Sequence, residues 1–419
     1  MSELSITGVT ITPVAFPDPP LLNTIGVHQP WALRTIIQVH TAEGLIGIGE
    51  SYGDSAHLDL LRRAAPALDG LDPFHLNQLR TRLARAIGAA GVEDQHGLTG
   101  ASSQAKTLMQ VLSPFEVACL DLQGQAVRRP VHELLGGKVR DQVPFSAYLF
   151  YKWAGHPGAQ ADEWGEALNP EGIVTQAKAM IERYGFTSIK LKGGVFAPEV
   201  EIEAITALSQ ALPGYPLRLD PNCAWSPATA QRVADQTDGL LEYLEDPTAT
   251  IAGMAEVNAN AGMPLATNMC VVEFAHLSEA FAAGAVDIVL ADHHYWGGLT
   301  MSMHLATICQ TWGVGVSMHS NSHLGVSLAA MSHLGGAMPQ LTYAADTHTP
   351  WQLGVDVVAD PLPIIDGAVR VPDSPGLGVS LDPDALARMH EDYLRCGLTE
   401  RDDTGYMRSI DPDYQVRQW

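Results

Sequence analysis

The chain has 419 residues, of which 46% are hydrophobic and 17% are charged, so it can bury a large core in one large domain and a smaller one. Its formal net charge of -23 argues against nucleic acid as a partner, because phosphates would be repelled over the whole surface. No apolar run reaches the roughly 18 residues of a membrane span, and the N-terminus lacks the basic and apolar regions of a signal peptide. We therefore expect a cytoplasmic protein with small-molecule partners and no membrane contact.

The first 140 residues predict a small α+β domain. An alternating strand over 6–16 precedes a hairpin of 33–39 and 45–50 around a turn at 40–44. Helical spacing follows over 57–68, 73–87 and 113–127, where Asp72-Pro73 and Ser113-Pro114 have the form of an N-cap with a first-turn proline. Gly136-Gly137 marks the end of this domain.

Residues 141–370 show short apolar strands that alternate with helices at a period of roughly 25 residues. The eight predicted strands are 143–149, 188–192, 217–220, 242–245, 264–268, 286–292, 314–319 and 341–346. The clearest predicted helices between them are 170–184, 198–212, 227–235 and 299–311. Such βα alternation predicts an α/β protein with a (β/α) TIM-like barrel. We expect the last segment, 371–419, with one helix near 383–394, to pack on the first domain and the barrel mouth.

Polar residues close almost every predicted strand, where a barrel of this kind carries its chemistry. A lone residue of this sort more often caps the following helix, but seven polar strand ends in register favour a site. The strand ends carry Lys190 and Lys192, Asp220 and Asn222, Glu245 and Asp246, Asn268, Asp292, His319 with Ser320 and Asn321, and Asp346 with His348.

Asp220, Glu245 and Asn268 end three consecutive strands, which places three oxygen ligands side by side. Two carboxylates and one amide suit Mg²⁺ better than calcium or zinc. The alternative is a salt-bridged rim without metal. We consider it weaker because no basic residue stands immediately beside these ligands in the sequence, so the carboxylates would repel one another.

Two bases are predicted on opposite sides of this site. Lys190 and Lys192 are two residues apart and point the same way, so repulsion between their ammonium groups is expected to lower the pKa of one of them. Asp292 and His319 end neighbouring strands, where a carboxylate would orient the imidazole. A Lys base, a His base and a divalent cation form an arrangement for removing a proton α to a carboxylate.

The strings IKLKGGV (189–195), LDPN (219–222), LEDP (244–247), ATNM (266–269), LAD (290–292) and MHSN (318–321) resemble those of the glucarate dehydratases of the enolase superfamily. The resemblance covers essentially the whole chain. It implies an enolase-type modified barrel with an N-terminal capping domain that the C-terminal tail completes. It further implies a homo-oligomer that needs Mg²⁺ and acts on D-glucarate and L-idarate.

The resemblance also assigns roles to residues. Lys192 would take the C5 proton from one epimer and His319 from the other, and the common enediolate would lose its C4 hydroxyl. Lys190, Asn222 and Asn321 would help to hold the enediolate. The positions that match substrate contacts of the family are Asn23, His28, Tyr148, Phe150, Ser320, His348 and Arg401.

Two features depart from the family pattern. Cys223 stands where the family usually has glycine, and segment 100–106 does not align with a further substrate contact of the family. Three alternatives therefore stay open: a dehydratase of galactarate or a monoacid sugar, a racemase or epimerase with the same two bases, and a noncatalytic barrel that binds sugar acids. The five cysteines, which include no CxxC pair, are interpreted as free thiols (Cys119, Cys223, Cys270, Cys309 and Cys396).

Overall fold

The computed structural model describes residues 4–88 and 102–419. Its N-terminal sheet has the order β1-β4-β5, with antiparallel pairing throughout. The strands of this sheet are β1 (Ile6–Pro17), β4 (Trp31–Thr41) and β5 (Ile46–Tyr52). Between β1 and β4 in the chain, β2 (Leu22–Asn23) and β3 (Gly26–Val27) form a separate antiparallel pair. The predicted hairpin is confirmed, since the backbone N–H of Thr41 donates to the Leu45 carbonyl at 3.1 Å across its turn.

Helices follow this sheet in the chain. They are α1 (Ser55–Ala64) with a 3-10 turn (Ala65–Leu68), α2 (Leu76–Ile87), α3 (Gln104–Val127) and α4 (Val131–Leu134). Helix α3 packs so closely on β5 that a Cβ at Gly47 or Gly49 would lie 2.1 Å from a carbonyl oxygen of α3.

Two predicted helix starts are wrong. Helix α3 begins ten residues before Pro114, capped by the Ser103 hydroxyl, which accepts from the Lys106 N–H at 3.0 Å. Burial of α3 against β5 outweighs the hydrogen bond that Pro114 cannot donate. Helix α2 begins at Leu76, because Asp72 forms a turn instead, in which its carboxylate accepts from the Phe74 N–H at 3.0 Å.

Seven parallel strands form the barrel sheet in simple sequential order. The strand β6 (Gln142–Pro144) precedes β7 (Ala147–Phe150), β8 (Ile189–Lys192), β9 (Leu217–Asp220), β10 (Leu241–Glu245), β11 (Leu265–Thr267), β12 (Ile288–Leu290) and β13 (Gly315–Ser317). The barrel helices are α5 (Pro170–Tyr184), α6 (Pro198–Ala211), α7 (Pro227–Gln236), α8 (Ile251–Asn258), α9 (Phe274–Ala282), α10 (His293–Trp296), α11 (Leu299–Trp312) and α12 (Gly325–Ala337), with a 3-10 turn at Thr349–Gln352.

Segment 341–346 is not a regular eighth strand, although it fills that place. It makes one isolated parallel bridge to Val316 of β13 and another to Phe145, just before β7, so it still closes the ring. The Ala344 carbonyl accepts from the side chains of Arg218 and Ser317, which replaces ladder pairing at that point. The predicted strand 143–149 is likewise split, because β6 pairs with β15 outside the barrel.

The C-terminal elements are β14 (Ile364–Ile365), β15 (Ala368–Arg370), α13 (Pro383–Cys396) and α14 (Asp403–Ile410). The His390 Nδ1 atom of α13 lies 2.7 Å from the Pro13 carbonyl in β1. The backbone of Trp419 pairs with Ala224 and Ser226 beyond the end of β9. The tail therefore contacts both the first sheet and the barrel, while the division at residues 140 and 370 stays a prediction. In the described ranges, no helix combines the length and apolarity that a membrane crossing needs.

Candidate active site

A cavity of about 560 Å³, partly open to solvent, lies at the carboxyl ends of the barrel strands. Residues from the N-terminal region, the barrel and the tail all face it. Its lining consists of Asn23, His28, Lys106, Tyr148, Phe150, Lys192, Asn222, Asn268, Met269, Tyr295, His319, Asn321, His348 and Arg401. Eleven of these residues were predicted as catalytic, metal-binding or substrate-binding, so the structure gathers groups that are up to 378 residues apart in the sequence.

Lys190 lies beneath this cavity, in a fully buried cluster of carboxylates. Its Nζ atom is 2.7 Å from Glu245, 2.7 Å from Asp346 and 3.2 Å from Asp220. Burial opposes the charge on Lys190, but the carboxylates of Asp346 and Glu245 outweigh it and raise its pKa well above the ordinary value. Lys190 is therefore not a lysine whose pKa is lowered, and the expectation that repulsion lowers the pKa of one of the two lysines stays a prediction.

Lys192 extends from the same strand toward the cavity. Its Nζ atom donates to the Asp220 carboxylate at 2.7 Å and to Oδ1 of Asn222 at 2.6 Å. Asn222 has a φ of 50°, and its N–H donates to Asp220 at 3.1 Å, which fixes its side chain beside the lysine. The premise that no basic residue stands beside the oxygen ligands does not hold in the folded chain, since Lys190 contacts Asp220 and Glu245, and Lys192 contacts Asp220.

The buried carboxylates respond in opposite directions to these ammonium groups. Burial opposes ionisation of Asp220, but Lys192 and Lys190 outweigh it and hold the pKa of Asp220 below its ordinary value. Burial, reinforced by the Asp220 carboxylate, raises the pKa of Glu245 well above its ordinary value. Asp220 is thus readily ionised, whereas ionisation of Glu245 needs further positive charge nearby.

The donor set fits Mg²⁺ on the evidence of Asn268. Its Oδ1 atom is buried and accepts no hydrogen bond within the described residues, which is costly unless a ligand completes it. The backbone N–H of Asn268 donates to Asp246 at 2.8 Å, which anchors the end of β11. Two carboxylates and this unsatisfied amide oxygen form an all-oxygen set that a hard cation would complete. Their metal-binding role stays a prediction.

His319 faces the cavity from just beyond the end of β13. Its Nδ1 atom lies 3.0 Å from Oδ2 of Asp292, a geometry that would direct Nε2 toward the cavity. The other oxygen of Asp292 lies 2.8 Å from Nδ1 of His294, a residue that we did not predict. The Nε2 atom of His294 is in turn 2.9 Å from Arg34, so a chain of buried polar groups supports the imidazole.

Asn321 lies beside His319 and donates to the hydroxyls of Tyr295 and Tyr52, at 2.7 and 3.2 Å. Ser320 is buried, and its hydroxyl has no hydrogen-bond partner within the described residues. Ser320 does not line the cavity, so the structure brings it near the site without showing contact with the substrate space.

The predicted substrate contacts at and just after the β2-β3 pair lie close to those of the tail. Arg401 donates to Asp403 from both Nε and Nη2, at distances of 2.7 to 3.1 Å. Asn23 donates to the same carboxylate at 2.7 Å, while His28 lies 3.0 Å from Asp18. The fully buried Asp403 carboxylate thus forms an ion pair with Arg401. The sequence analysis did not predict Asp403 as a residue of this site.

An aromatic group forms another wall of the cavity. The rings of Tyr148 and Phe150, at the end of β7, lie 4.6 Å apart, and the His348 ring lies 5.0 and 5.4 Å from them. Burial lowers the pKa of His348 well below its ordinary value. This wall therefore presents neutral aromatic surface rather than charge.

Sequence reasoning missed three lining residues. Lys106 belongs to segment 100–106, of which residues 100 and 101 lie outside the described residues; its Nζ atom is 5.0 Å from the Tyr295 ring centroid. Tyr295 follows Asp292 by three residues, which could have indicated a shared helical turn. Met269 directly follows Asn268, and its apolar side chain gave no signal.

Comparison with known proteins decides the family. Residues 172–385 match the family model "Enolase C-terminal domain-like", and residues 6–136 match "Mandelate racemase / muconate lactonizing enzyme, N-terminal domain". The chain belongs to the enolase superfamily. The resemblance noted in the sequence and the predicted fold class are thereby confirmed.

Similar proteins cover the chain almost completely. A probable glucarate dehydratase from Streptomyces coelicolor is 53% identical over 430 residues, with 100% of this chain and 99% of the relative covered. The crystal structure of an enolase from Thermobispora bispora, complexed with magnesium and formate, has a TM-score of 0.97 and 62% identity, and covers 99% of both chains. An enolase from Pseudomonas fluorescens with bound magnesium, potassium and tartrate has a TM-score of 0.95 and 50% identity, with coverage of 100% and 99%. The protein is therefore an enzyme of the enolase superfamily, similar to glucarate dehydratases.

Proposed function

We propose that this enzyme is a Mg²⁺-dependent dehydratase that converts D-glucarate and L-idarate to 5-keto-4-deoxy-D-glucarate. The observation that carries the proposal is that Lys192 and His319 line the same cavity from different strand ends. The identity of 53% to a probable glucarate dehydratase supports the same reaction. The tartrate in the Pseudomonas fluorescens enzyme is a dicarboxylate, which is compatible with a diacid substrate.

The chain's own residues suit each step of such a reaction. Asp220, Glu245 and Asn268 would hold Mg²⁺, which when bound would supply positive charge to stabilise an enediolate. Lys192 would remove the C5 proton from one epimer and His319 from the other. His319 would then donate a proton to the departing C4 hydroxyl, which leaves as water. His319 would start as the imidazolium when Lys192 is the base and would become one by taking the C5 proton when it is the base itself, and Asp292 would stabilise this imidazolium in both cases.

The remaining polar groups would position the substrate. The enediolate would be held with the help of Lys190, Asn222 and Asn321, and its surroundings would be shaped by Tyr148, Phe150, Ser320 and His348. Arg401, Asn23 and His28 lie together at one end of the cavity, where they would bind the distal carboxylate of a diacid. Because Arg401 is fixed by Asp403, little side-chain entropy would be lost when the carboxylate binds.

A screen of acid sugars in the presence of Mg²⁺ tests the proposal, with semicarbazide absorbance reporting the keto acid. We expect turnover of D-glucarate and L-idarate. Turnover of only galactarate or a monoacid sugar would contradict the proposed substrate but support the proposed type of reaction. Exchange of the α proton with solvent without keto-acid formation would identify an epimerase. Binding without exchange or turnover would leave only the noncatalytic alternative.

A further inference from the structure

Two cysteines and an aspartate meet behind the proposed magnesium ligands. The Sγ atoms of Cys223 and Cys270 and a carboxylate oxygen of Asp246 all lie within 4.8 Å of one another. All three residues are buried. Cys223, Asp246 and Cys270 follow the proposed ligands Asp220, Glu245 and Asn268 by three, one and two residues, respectively.

The backbone holds this cluster in an unusual conformation. Cys223 has a φ of 60° and Asp246 a φ of 38°, in the left-handed region that side chains with a Cβ rarely adopt. The N–H of Cys223 donates to the carbonyl of Asp246 at 2.7 Å, which ties the ends of β9 and β10 together. Cys270 donates from Sγ to the Thr248 carbonyl at 3.5 Å. Two of the three residues of the cluster therefore have a strained backbone conformation.

We propose that Cys223, Cys270 and Asp246 form a second cation site, selective for a soft divalent ion such as Zn²⁺ or Cd²⁺. Two thiolates and a carboxylate suit these ions and not Mg²⁺. Zn–S bonds of about 2.3 Å place two sulfurs roughly 3.7 Å apart in a tetrahedral site, so the cluster needs a contraction of about one ångström at most. Binding replaces both thiol protons, which are released to water.

Occupation of this site would disturb the magnesium ligands. The Asp246 carboxylate accepts from the Thr267 hydroxyl at 2.6 Å and from the N–H groups of Asn268 and Met269 at 2.8 and 3.1 Å. A cation that draws this carboxylate toward the sulfurs would move Asn268. We therefore infer that a soft cation inhibits the enzyme without competing for the magnesium ligands. The effect on activity rests on the proposed function, whereas cation binding does not.

Direct binding of Cd²⁺ to the full chain tests the site, under anaerobic conditions with a phosphine reductant so that the thiols stay reduced. The thiolate-to-cadmium charge-transfer absorption and native mass spectrometry would show one Cd²⁺ per chain. Cys223→Gly suits the left-handed backbone and should fold, and it should lose the absorption and at least tenfold in Cd²⁺ affinity. Cys270→Ser should do the same. Cys309→Ala, a buried cysteine of α11, is the matched control and should bind like the unmodified chain.

Activity measurements complete the test. Cd²⁺ should inhibit the unmodified enzyme and the Cys309→Ala variant in a manner that excess Mg²⁺ does not reverse, while Cys223→Gly should resist. Equal absorption in Cys223→Gly and the unmodified chain would overturn the proposal, as would complete displacement of Cd²⁺ by Mg²⁺. Binding that depends on both cysteines in a protein without dehydratase activity would support the cation site and refute the proposed function alone.

Discussion

Asp292 and His294 are bound to each other twice: Oδ1 of Asp292 accepts from the His294 N–H at 2.9 Å and lies 2.8 Å from its Nδ1 atom. The same carboxylate supports His319 through its other oxygen. His294 therefore restrains the group that orients the proposed base, without facing the cavity itself.

We predict that His294→Leu lowers kcat by roughly 10- to 100-fold with little change in KM, as expected when a supporting partner is lost. Asp292 would then share its charge with His319 alone, so the acid limb of the kcat profile should move to higher pH. His294→Asn keeps a donor near the position of Nδ1 and should restore most of the rate. Equal losses in the two variants, with an unshifted profile, would show a merely structural role.

The sequence is enough to predict those residues of the site whose position depends only on the regular spacing of the strands. Asp220, Glu245 and Asn268 follow regularly spaced strands, so their meeting follows from parallel pairing. His294 and Asp403 could not be predicted in this way, because their roles depend on side chains that approach from other segments. The prediction of a regular strand at 341–346 was wrong for a related reason. The side chain of Arg218 donates to the Ala344 carbonyl, which regular strand pairing would use.

The second prediction concerns the metal. Removal of divalent cations with EDTA should abolish turnover, and Asp220→Ala should be inactive because the carboxylate shared by both lysines is lost. Asn268→Ala removes only a neutral ligand, so it should raise the Mg²⁺ concentration for half-maximal rate by roughly 10- to 100-fold. Full activity of the metal-stripped enzyme would refute the assignment of these ligands.

The third prediction concerns the pair of Arg401 and Asp403. Arg401→Ala leaves a fully buried carboxylate without its cation, which should lower the free energy of unfolding by about 3–5 kcal/mol. The double change Arg401→Ala with Asp403→Asn should recover much of that loss. If Arg401 binds the distal carboxylate, both variants should raise KM for a diacid far more than for a monoacid sugar. Equal KM changes for the two substrates would remove Arg401 from the site.

The fourth prediction concerns stability in acid. His333 accepts the His132 N–H at Nδ1, at 3.2 Å, and its Nε2 lies 3.1 Å from the Leu377 carbonyl, so one ring proton satisfies both contacts. Burial lowers its pKa from 6.5 to about 4. The unfolded chain binds this proton below pH 6.5 and the folded chain does not until about pH 4, so stability falls as the pH drops through this window.

This loss amounts to about 3 kcal/mol at the acid end. Urea unfolding at several pH values would measure it. His333→Gln should unfold more easily at pH 7 but show a shallower decline between pH 6.5 and 4. An unchanged slope in this variant would assign the acid sensitivity to other buried histidines, such as His57 and His323, whose pKa values burial also lowers, to about 3 and about 4.

The last prediction tests whether the two bases are opposed. If Lys192 and His319 face opposite sides of the α-carbon, each can reach the C5 proton of only one epimer. His319→Asn should abolish dehydration of both epimers, since the acid for the C4 hydroxyl is lost. It should still let Lys192 exchange deuterium from solvent into its own epimer.

Lys192→Ala should lose the reaction of that epimer and keep some activity on the other. Because Lys190 still lies 3.2 Å from Asp220, the carboxylate keeps one cation in this variant, and an unchanged Mg²⁺ requirement would confirm that the metal site survives. Proton NMR in D₂O reads exchange and elimination separately for each epimer, and circular dichroism checks the fold of both variants. Equal residual activity of the two variants on both epimers would mean that the bases share one face, and a two-base mechanism could not then explain turnover of both epimers.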